Sequence, residues 1–102
     1  MPDCSKCHRP FVLPGPARVA SISGGIQGDE CTETYLFCER CGVYTVEVFW
    51  DCFDGSESSS LRGPVAKADG DAKVALIRRC GRPWDKTCRC EAHREYFGNS
   101  LD

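Results

Sequence analysis

The sequence predicts a small α+β domain in which an antiparallel sheet of about three strands is followed by short helices. Three observations support this fold class. Val43–Trp50 has the period of a strand, Asp71–Arg79 has the composition of a short helix, and glycine and proline interrupt much of the rest. A chain of 102 residues also has the length of one domain. We therefore predict a single domain over 1–102.

The sheet is predicted from three segments that are rich in β-branched and aromatic residues. Strands are expected over about Ala17–Ser23, over Thr34–Cys38 and over Val43–Trp50. Three glycines within Gly24–Glu30 predict a turn between the first two strands. Residues 54–70 contain three consecutive serines and a Gly-Pro step, which are typical of an exposed loop.

Two short helices are predicted after this loop. The first covers Asp71–Arg79, and either Asp69 or Asp71 is expected to cap its start. The second is expected over Glu91–Phe97 and should stop at Gly98. The chain is thus divided into a sheet part, an exposed loop and a helical part, over 1–53, 54–70 and 71–102.

The cysteine content requires an explanation beyond ordinary packing. The chain has nine cysteines, an odd number, so a complete set of intramolecular disulfides would leave one thiol unpaired. The N-terminus shows no apolar segment behind a basic start, and no apolar run approaches the roughly 18 residues that cross a bilayer. We therefore expect a cytoplasmic protein without a membrane partner. Thiols stay reduced in that compartment, where clustered cysteines usually bind metal.

Two C-x-x-C pairs, Cys4 with Cys7 and Cys38 with Cys41, form the most specific motif. Each pair can turn two sulfurs toward one ion, and two pairs complete a tetrahedron with metal–sulfur distances of about 2.3 Å. Gly42 follows the second pair and suits the tight turn there, because a residue without Cβ takes the left-handed backbone conformation. The motif predicts a Cys4 metal site.

Through these four cysteines the sequence resembles the zinc-ribbon class of metal-binding domains, over about residues 4–50. The knuckle Cys38-Glu-Arg-Cys41-Gly42-Val43-Tyr44 is also similar to that of rubredoxins, which hold iron. The first knuckle departs from the pattern, since His8 stands where glycine is common. The resemblance implies a zinc-ribbon-like sheet with a structural site, and no particular activity.

A second group of potential ligands lies in the helical part: Cys80, Cys88, Cys90 and His93. Cys90 and His93 share the first turn of a helix that begins at Cys90, and the intervening loop can return to Cys80. The group predicts a Cys3His site and, with the first motif, two Zn²⁺ per chain. Iron in the Cys4 site is the alternative, because spacing alone does not separate the two metals. The remaining Cys31, Cys52 and His8 are interpreted as small core residues and a polar flank.

The charge distribution separates one basic segment from an acidic remainder. Residues 1–72 carry six Lys or Arg against eleven Asp or Glu, whereas residues 73–94 carry seven against two. Arginine and tryptophan are common at interfaces. The candidate partner-binding residues are therefore Arg78, Arg79, Arg82, Trp84, Lys86 and Arg89.

These observations favour a non-catalytic zinc-binding protein that acts as an interaction or accessory module for a macromolecular partner. Two sites with four protein ligands each leave no open position for a substrate. A protein partner is favoured, because the net acidity disfavours the alternative of a nucleic-acid-associated zinc ribbon. The other alternative is a rubredoxin-like or iron–sulfur electron-transfer protein. No catalytic residue and no small-molecule substrate are predicted, since the sequence has no phosphate loop, nucleotide fingerprint or nucleophile–base order.

Overall fold

A computed structural model describes residues 2–12, 15 and 17–101, so the outer limits 1 and 102 of the predicted division lie outside the described residues. The predicted α+β class is confirmed, with four strands in the sheet where about three were expected. The elements, in chain order, are β1 (Arg18–Ile26), β2 (Asp29–Cys38), β3 (Val43–Asp51), β4 (Glu57–Ala66), α1 (Lys67–Arg78), α2 (Glu91–Phe97) and a short 3-10 helix (Gly98–Ser100).

The four strands form an antiparallel sheet in the order β1-β2-β3-β4. The turn between β1 and β2 is shorter than predicted, because it needs only Gln27 and Gly28. Both residues have positive φ, 52° and 85°, and such turns match the twist of the flanking strands. Both strands consequently extend into Gly24–Glu30, the segment that was expected to be a turn.

The prediction of a loop over 54–70 was wrong about conformation, although it was right about exposure. Glu57–Ala66 pairs with β3 on both sides of an irregularity at Gly63 and Pro64, and nine of these ten residues are exposed. Neither face of this strand is buried, so its side chains carry no alternation of apolar and polar residues. Pairing with β3 satisfies the backbone groups on the inner side of the strand whatever its side chains are, so the sequence pattern contained no signal for this strand.

The first helix begins earlier than predicted and lacks the expected cap. Ala66 is the N-cap residue of α1, and no side chain caps the helix. Asp71 instead accepts hydrogen bonds from the Tyr44 hydroxyl and the Lys67 ammonium, each at 2.6 Å. The second helix, Glu91–Phe97, is confirmed with both of its predicted ends. No helix within the described ranges is long and apolar enough to cross a membrane.

The two faces of the sheet pack against different parts of the chain. On one face, α1 contributes Val74 and Ile77 to the larger core, which also contains Ile22, Tyr35, Tyr44 and Val46. On the other face, Leu36 packs against Cys4 and Phe11 from the N-terminal segment. The second core is small, and hydrogen bonds from Ser5 to the Thr45 hydroxyl also join the N-terminal segment to the sheet.

Candidate metal centres

The four cysteines of the two C-x-x-C pairs converge, as their spacing predicts. Their sulfur atoms all lie within 4.8 Å of one another. The Sγ–Sγ distance is 4.0 Å between Cys4 and Cys41 and 3.9 Å between Cys7 and Cys38. A tetrahedral ion with metal–sulfur bonds of about 2.3 Å requires sulfurs about 3.8 Å apart. The cluster therefore fits one metal ion, and the described cysteines are all free thiols.

The two C-x-x-C pairs have the same backbone geometry. The N–H of His8 donates to the carbonyl of Cys4 at 2.9 Å, and the N–H of Gly42 donates to that of Cys38 at 2.8 Å. Both residues have positive φ, 63° for His8 and 66° for Gly42. Each pair thus closes a tight turn whose last residue is left-handed, and His8 adopts this conformation although it carries a Cβ.

This equivalence predicts opposite effects of two substitutions. His8→Gly should stabilise the metal-loaded protein by about 0.5–1 kcal/mol, because relief of left-handed strain outweighs the greater chain entropy of glycine. Gly42→Ala should destabilise it by about 1 kcal/mol, because it introduces the same strain. Urea unfolding of both variants checks the pair. Destabilisation by His8→Gly would show that the imidazole has a role beyond flanking the turn.

The second predicted cluster is also formed. Cys80, Cys88, Cys90 and His93 bring their ligand atoms within 4.8 Å of one another. The Sγ atoms of Cys80 and Cys88 are 3.8 Å apart, and His93 Nδ1 lies 3.0 Å from Cys80 Sγ and 3.7 Å from Cys90 Sγ. These values bracket the roughly 3.5 Å between nitrogen and sulfur in a tetrahedral site. The cluster fits one metal ion with three sulfur ligands and one nitrogen ligand.

The orientation of the His93 ring is determined by the sheet. His93 is fully buried, and its Nε2 lies 2.9 Å from the carbonyl oxygen of Ser23 in β1. Nε2 must carry the proton to donate to this carbonyl, so the neutral ring presents the Nδ1 lone pair to the three cysteines. A hydrogen bond of this kind to the second ring nitrogen is the usual way in which proteins orient a metal-binding histidine.

The thiols of each cluster differ in their ease of ionisation. Burial opposes ionisation of Cys4, but hydrogen bonds from its own knuckle outweigh it and lower its pKa to about 6. The backbone N–H and the ring of His93 lower the pKa of Cys90 to about 6. Burial together with neighbouring thiols raises the pKa of Cys41 to about 12 and that of Cys80 to about 11. The four thiolates of the first cluster, or the three of the second, would repel one another in so small a volume. A bound cation is needed to balance their charge.

The loop between Cys80 and Cys88 covers the outer edge of β1. The N–H of Ser23 donates to the carbonyl of Pro83 at 2.7 Å, and the N–H of Gly25 donates to that of Lys86 at 3.2 Å. The second cluster thus attaches a loop to an edge strand whose backbone groups would otherwise face solvent.

Asp85 organises this loop, a role that sequence analysis did not identify. Its carboxylate accepts hydrogen bonds from the backbone N–H of Thr87 at 2.9 Å and from the Thr87 hydroxyl at 2.6 Å, and it pairs with Arg82 at 3.2 Å. The bonds from Thr87 lower the pKa of Asp85. An Asp-x-Thr sequence is typical of such turns, so the turn at Asp85 could have been predicted from the sequence.

The six candidate partner-binding residues occupy two neighbouring places. Arg82, Trp84 and Lys86 lie on the loop between Cys80 and Cys88, and Arg89 directly follows it, while Arg78 and Arg79 lie at the end of α1. Several have partners within the chain: Arg79 pairs with Glu95 at 3.3 Å, and Arg89 donates to the carbonyls of Lys86 and Cys88. Trp84 is 70% exposed. The prediction that these residues contact a partner remains a prediction.

The two cysteines and the histidine outside the predicted ligand sets, Cys31, Cys52 and His8, do not join either cluster. Cys31 is 2% exposed, and burial, reinforced by Glu33, raises the pKa of its thiol to about 11. Cys52 lies in the turn between β3 and β4, and His8 is exposed. The two predicted sets are the only groups of three or more potential ligands that converge among residues 2–12, 15 and 17–101.

Comparison with known proteins adds no relative, since no family model, curated protein or solved structure matches the chain.

Proposed function

We propose that the chain is a non-catalytic zinc-binding protein, in which two structural metal sites build a rigid module for a macromolecular partner. The observation that carries this proposal is the convergence of two separate sets of four ligands. The first set joins the N-terminal segment to the β2–β3 hairpin, and the second joins the Cys80–Cys88 loop to α2. In both cases the ion would connect two separate segments of the fold.

A structural role is favoured because each set supplies four protein ligands. A tetrahedral ion with four such ligands has no position left for a substrate or an activated water molecule. The ligands are also partly or fully buried in both clusters. We therefore assign no catalytic residue to the chain.

Zinc is favoured over iron by the mixed ligand set of the second cluster. Three sulfurs and one imidazole nitrogen form a common zinc site, whereas tetrahedral sites of four sulfurs accept either metal. Iron in the first cluster, with a role in electron transfer, is the competing proposal because its knuckle is similar to that of rubredoxins. The proposed compartment is the cytoplasm, where free thiols persist.

A protein is the proposed partner rather than nucleic acid. The chain carries a net charge of −2, whereas nucleic-acid-binding domains are usually strongly basic. The proposed contact is the basic loop between Cys80 and Cys88, with Trp84 as its exposed anchor and Lys86 as an exposed cation. Arg78, at the end of α1, is also exposed. Several other cations of this region are engaged within the chain.

The test is metal content per chain and the visible spectrum, measured on protein that has been purified without air. Two zinc ions and no colour are the expected result. A red protein with iron would replace the proposal with electron transfer, because ferric thiolate sites absorb visible light. A single metal ion per chain would contradict the Cys3His site. Binding to DNA or RNA that weakens steeply with salt would make nucleic acid the partner.

A further inference from the structure

The two edges of the sheet differ in their protection. β1, at one edge, donates hydrogen bonds from Ser23 and Gly25 to the Cys80–Cys88 loop. β4, at the other edge, pairs only with β3, and no backbone hydrogen bond joins Glu57–Arg62 to another segment of the described chain. The outer backbone groups of β4 are therefore available for pairing.

The side chains of β4 do not obstruct this edge. Ser58, Ser59, Ser60 and Leu61 are all exposed, and Leu61 is 45% exposed although it is apolar. Proteins usually protect such edges with lysine, proline, a bulge or a covering segment. None of these protecting features lies within Ser58–Leu61. The three serines are small, and all four residues are uncharged.

An acidic surface lies beside this free edge. From Gly42 to Leu61 the chain contains four acidic residues and no Lys or Arg. Glu47 and Asp51 lie directly opposite Leu61 and Glu57 in the β3–β4 register, so these side chains share one face of the sheet. Among the described residues, no ion pair involves any of the acidic residues of this segment. Their charge is therefore not neutralised within the described chain.

Apolar side chains interrupt this acidic surface. Phe49 lies opposite Ser59 on the same face and is only half-buried. Phe53, in the turn that leads into β4, is 90% exposed. A free strand edge next to carboxylates and exposed aromatic rings combines the features by which an extended peptide is bound: backbone hydrogen bonds for affinity and side-chain contacts for selection.

We propose that the outer edge of β4, from Glu57 to Leu61, binds an extended lysine- or arginine-containing segment of a protein partner as a fifth strand. This inference rests on the proposed function of an interaction module and names a partner surface other than the basic loop. Charge complementarity selects the occupant. A second copy paired edge to edge would bring two equally acidic faces together, and the phosphates of nucleic acid would be repelled.

The test uses a fluorescein-labelled eight-residue peptide of alternating lysine and valine, mixed with the metal-loaded full chain. Fluorescence anisotropy is expected to report binding, and the amides of Ser58–Leu61 that point away from β3 should become protected from hydrogen exchange. A peptide with alternate backbone amides N-methylated should bind about tenfold more weakly or worse, because it loses hydrogen bonds to the edge. A peptide of alternating glutamate and valine should not bind.

Two carboxylate substitutions test the selection by charge. Glu57→Gln and Glu47→Gln should each weaken binding by about two- to fivefold at low ionic strength, with a smaller effect in high salt. Asp69→Asn is the matched control, because Asp69 is an exposed carboxylate on α1, which follows the opposite end of β4. This control should leave the affinity unchanged.

Three results would overturn the proposal. Equal binding of the N-methylated peptide would show that charge alone attracts it, and protection of Ser58–Leu61 by concentration-dependent dimerisation would assign the edge to a second copy. If the lysine–valine peptide did not bind to folded protein that holds two metal ions, the fifth strand would be rejected, whereas the proposed structural metal sites would not be affected. A chain that stays folded without metal would instead reject the structural role of those sites.

Discussion

Removal of metal by a strong chelator is expected to unfold most of the protein. Among the residues that the structure describes, the larger core contains six buried side chains, and the N-terminal segment contributes mainly Cys4 and Phe11 to the smaller one. A structural zinc site contributes on the order of 10 kcal/mol or more of apparent binding free energy. Small domains have a total stability of about 5–15 kcal/mol, so we expect two such sites to supply most of the stability of this chain.

Circular dichroism during chelation, followed by addition of zinc, measures this effect. We expect loss of the native spectrum with the metal and, once the chelator has been removed, its recovery after addition of two equivalents of zinc. A sample with chelator and excess zinc is the control for effects of the chelator itself. A native spectrum that persists after metal analysis has shown both ions to be gone would refute the prediction.

Loss of one ligand from the second cluster is expected to release one metal and to disorder the C-terminal part first. His93→Ala removes both the ligand atom and the hydrogen bond to the carbonyl of Ser23. The Cys80–Cys88 loop then loses its attachment, and the N–H groups of Ser23 and Gly25 lose their acceptors. The first cluster lies elsewhere, so its metal and the β2–β3 hairpin should remain.

Hydrogen exchange of the His93→Ala protein, together with metal analysis, checks this expectation. One metal ion should remain, and protection should fall in β1 and α2 before it falls in β2 and β3. Cys7→Ser is the matched variant for the first cluster, and it should expose the N-terminal segment and leave α2 protected. Two tightly bound ions and unchanged exchange in His93→Ala would exclude His93 as a ligand.

His93→Cys separates the two roles of this residue. The variant keeps four ligands but cannot donate to Ser23, so it should still bind two ions. Its affinity at the second site should be about 10- to 100-fold weaker, which is the usual effect of losing a bond that orients a ligand. Competition with a chromogenic chelator measures the difference. Wild-type affinity would show that neither the imidazole nor its bond to Ser23 is required for tight metal binding.

Sequence patterns were most reliable where local spacing determines geometry. A C-x-x-C pair followed by a left-handed residue has few backbone solutions, so both knuckles were predictable, and His8 takes the same conformation as Gly42. The helix Glu91–Phe97 was predictable because Cys90 and His93 at its start and Gly98 at its end are all local signals. In each case the interactions span only a few residues.

The prediction failed where a segment depends on its neighbours in space. β4 forms because β3 has an edge that β2 leaves unpaired, and the serines of β4 show no apolar period from which a strand could be predicted. The start of α1 was misplaced because Asp71 bonds to Tyr44, far away in the chain, and does not cap the helix. The acceptors for the N–H groups of Ser23 and Gly25 also come from the distant Cys80–Cys88 loop.

The sequence by itself determined the two ligand sets, the α+β class and the separation of one basic segment from an acidic chain. These follow from residue type and short spacing, which do not require knowledge of packing. Only the tertiary structure decided that the basic loop covers one edge of the sheet and that the acidic edge stays open. Strand order and edge coverage depend on contacts between distant segments, and no local pattern encodes them.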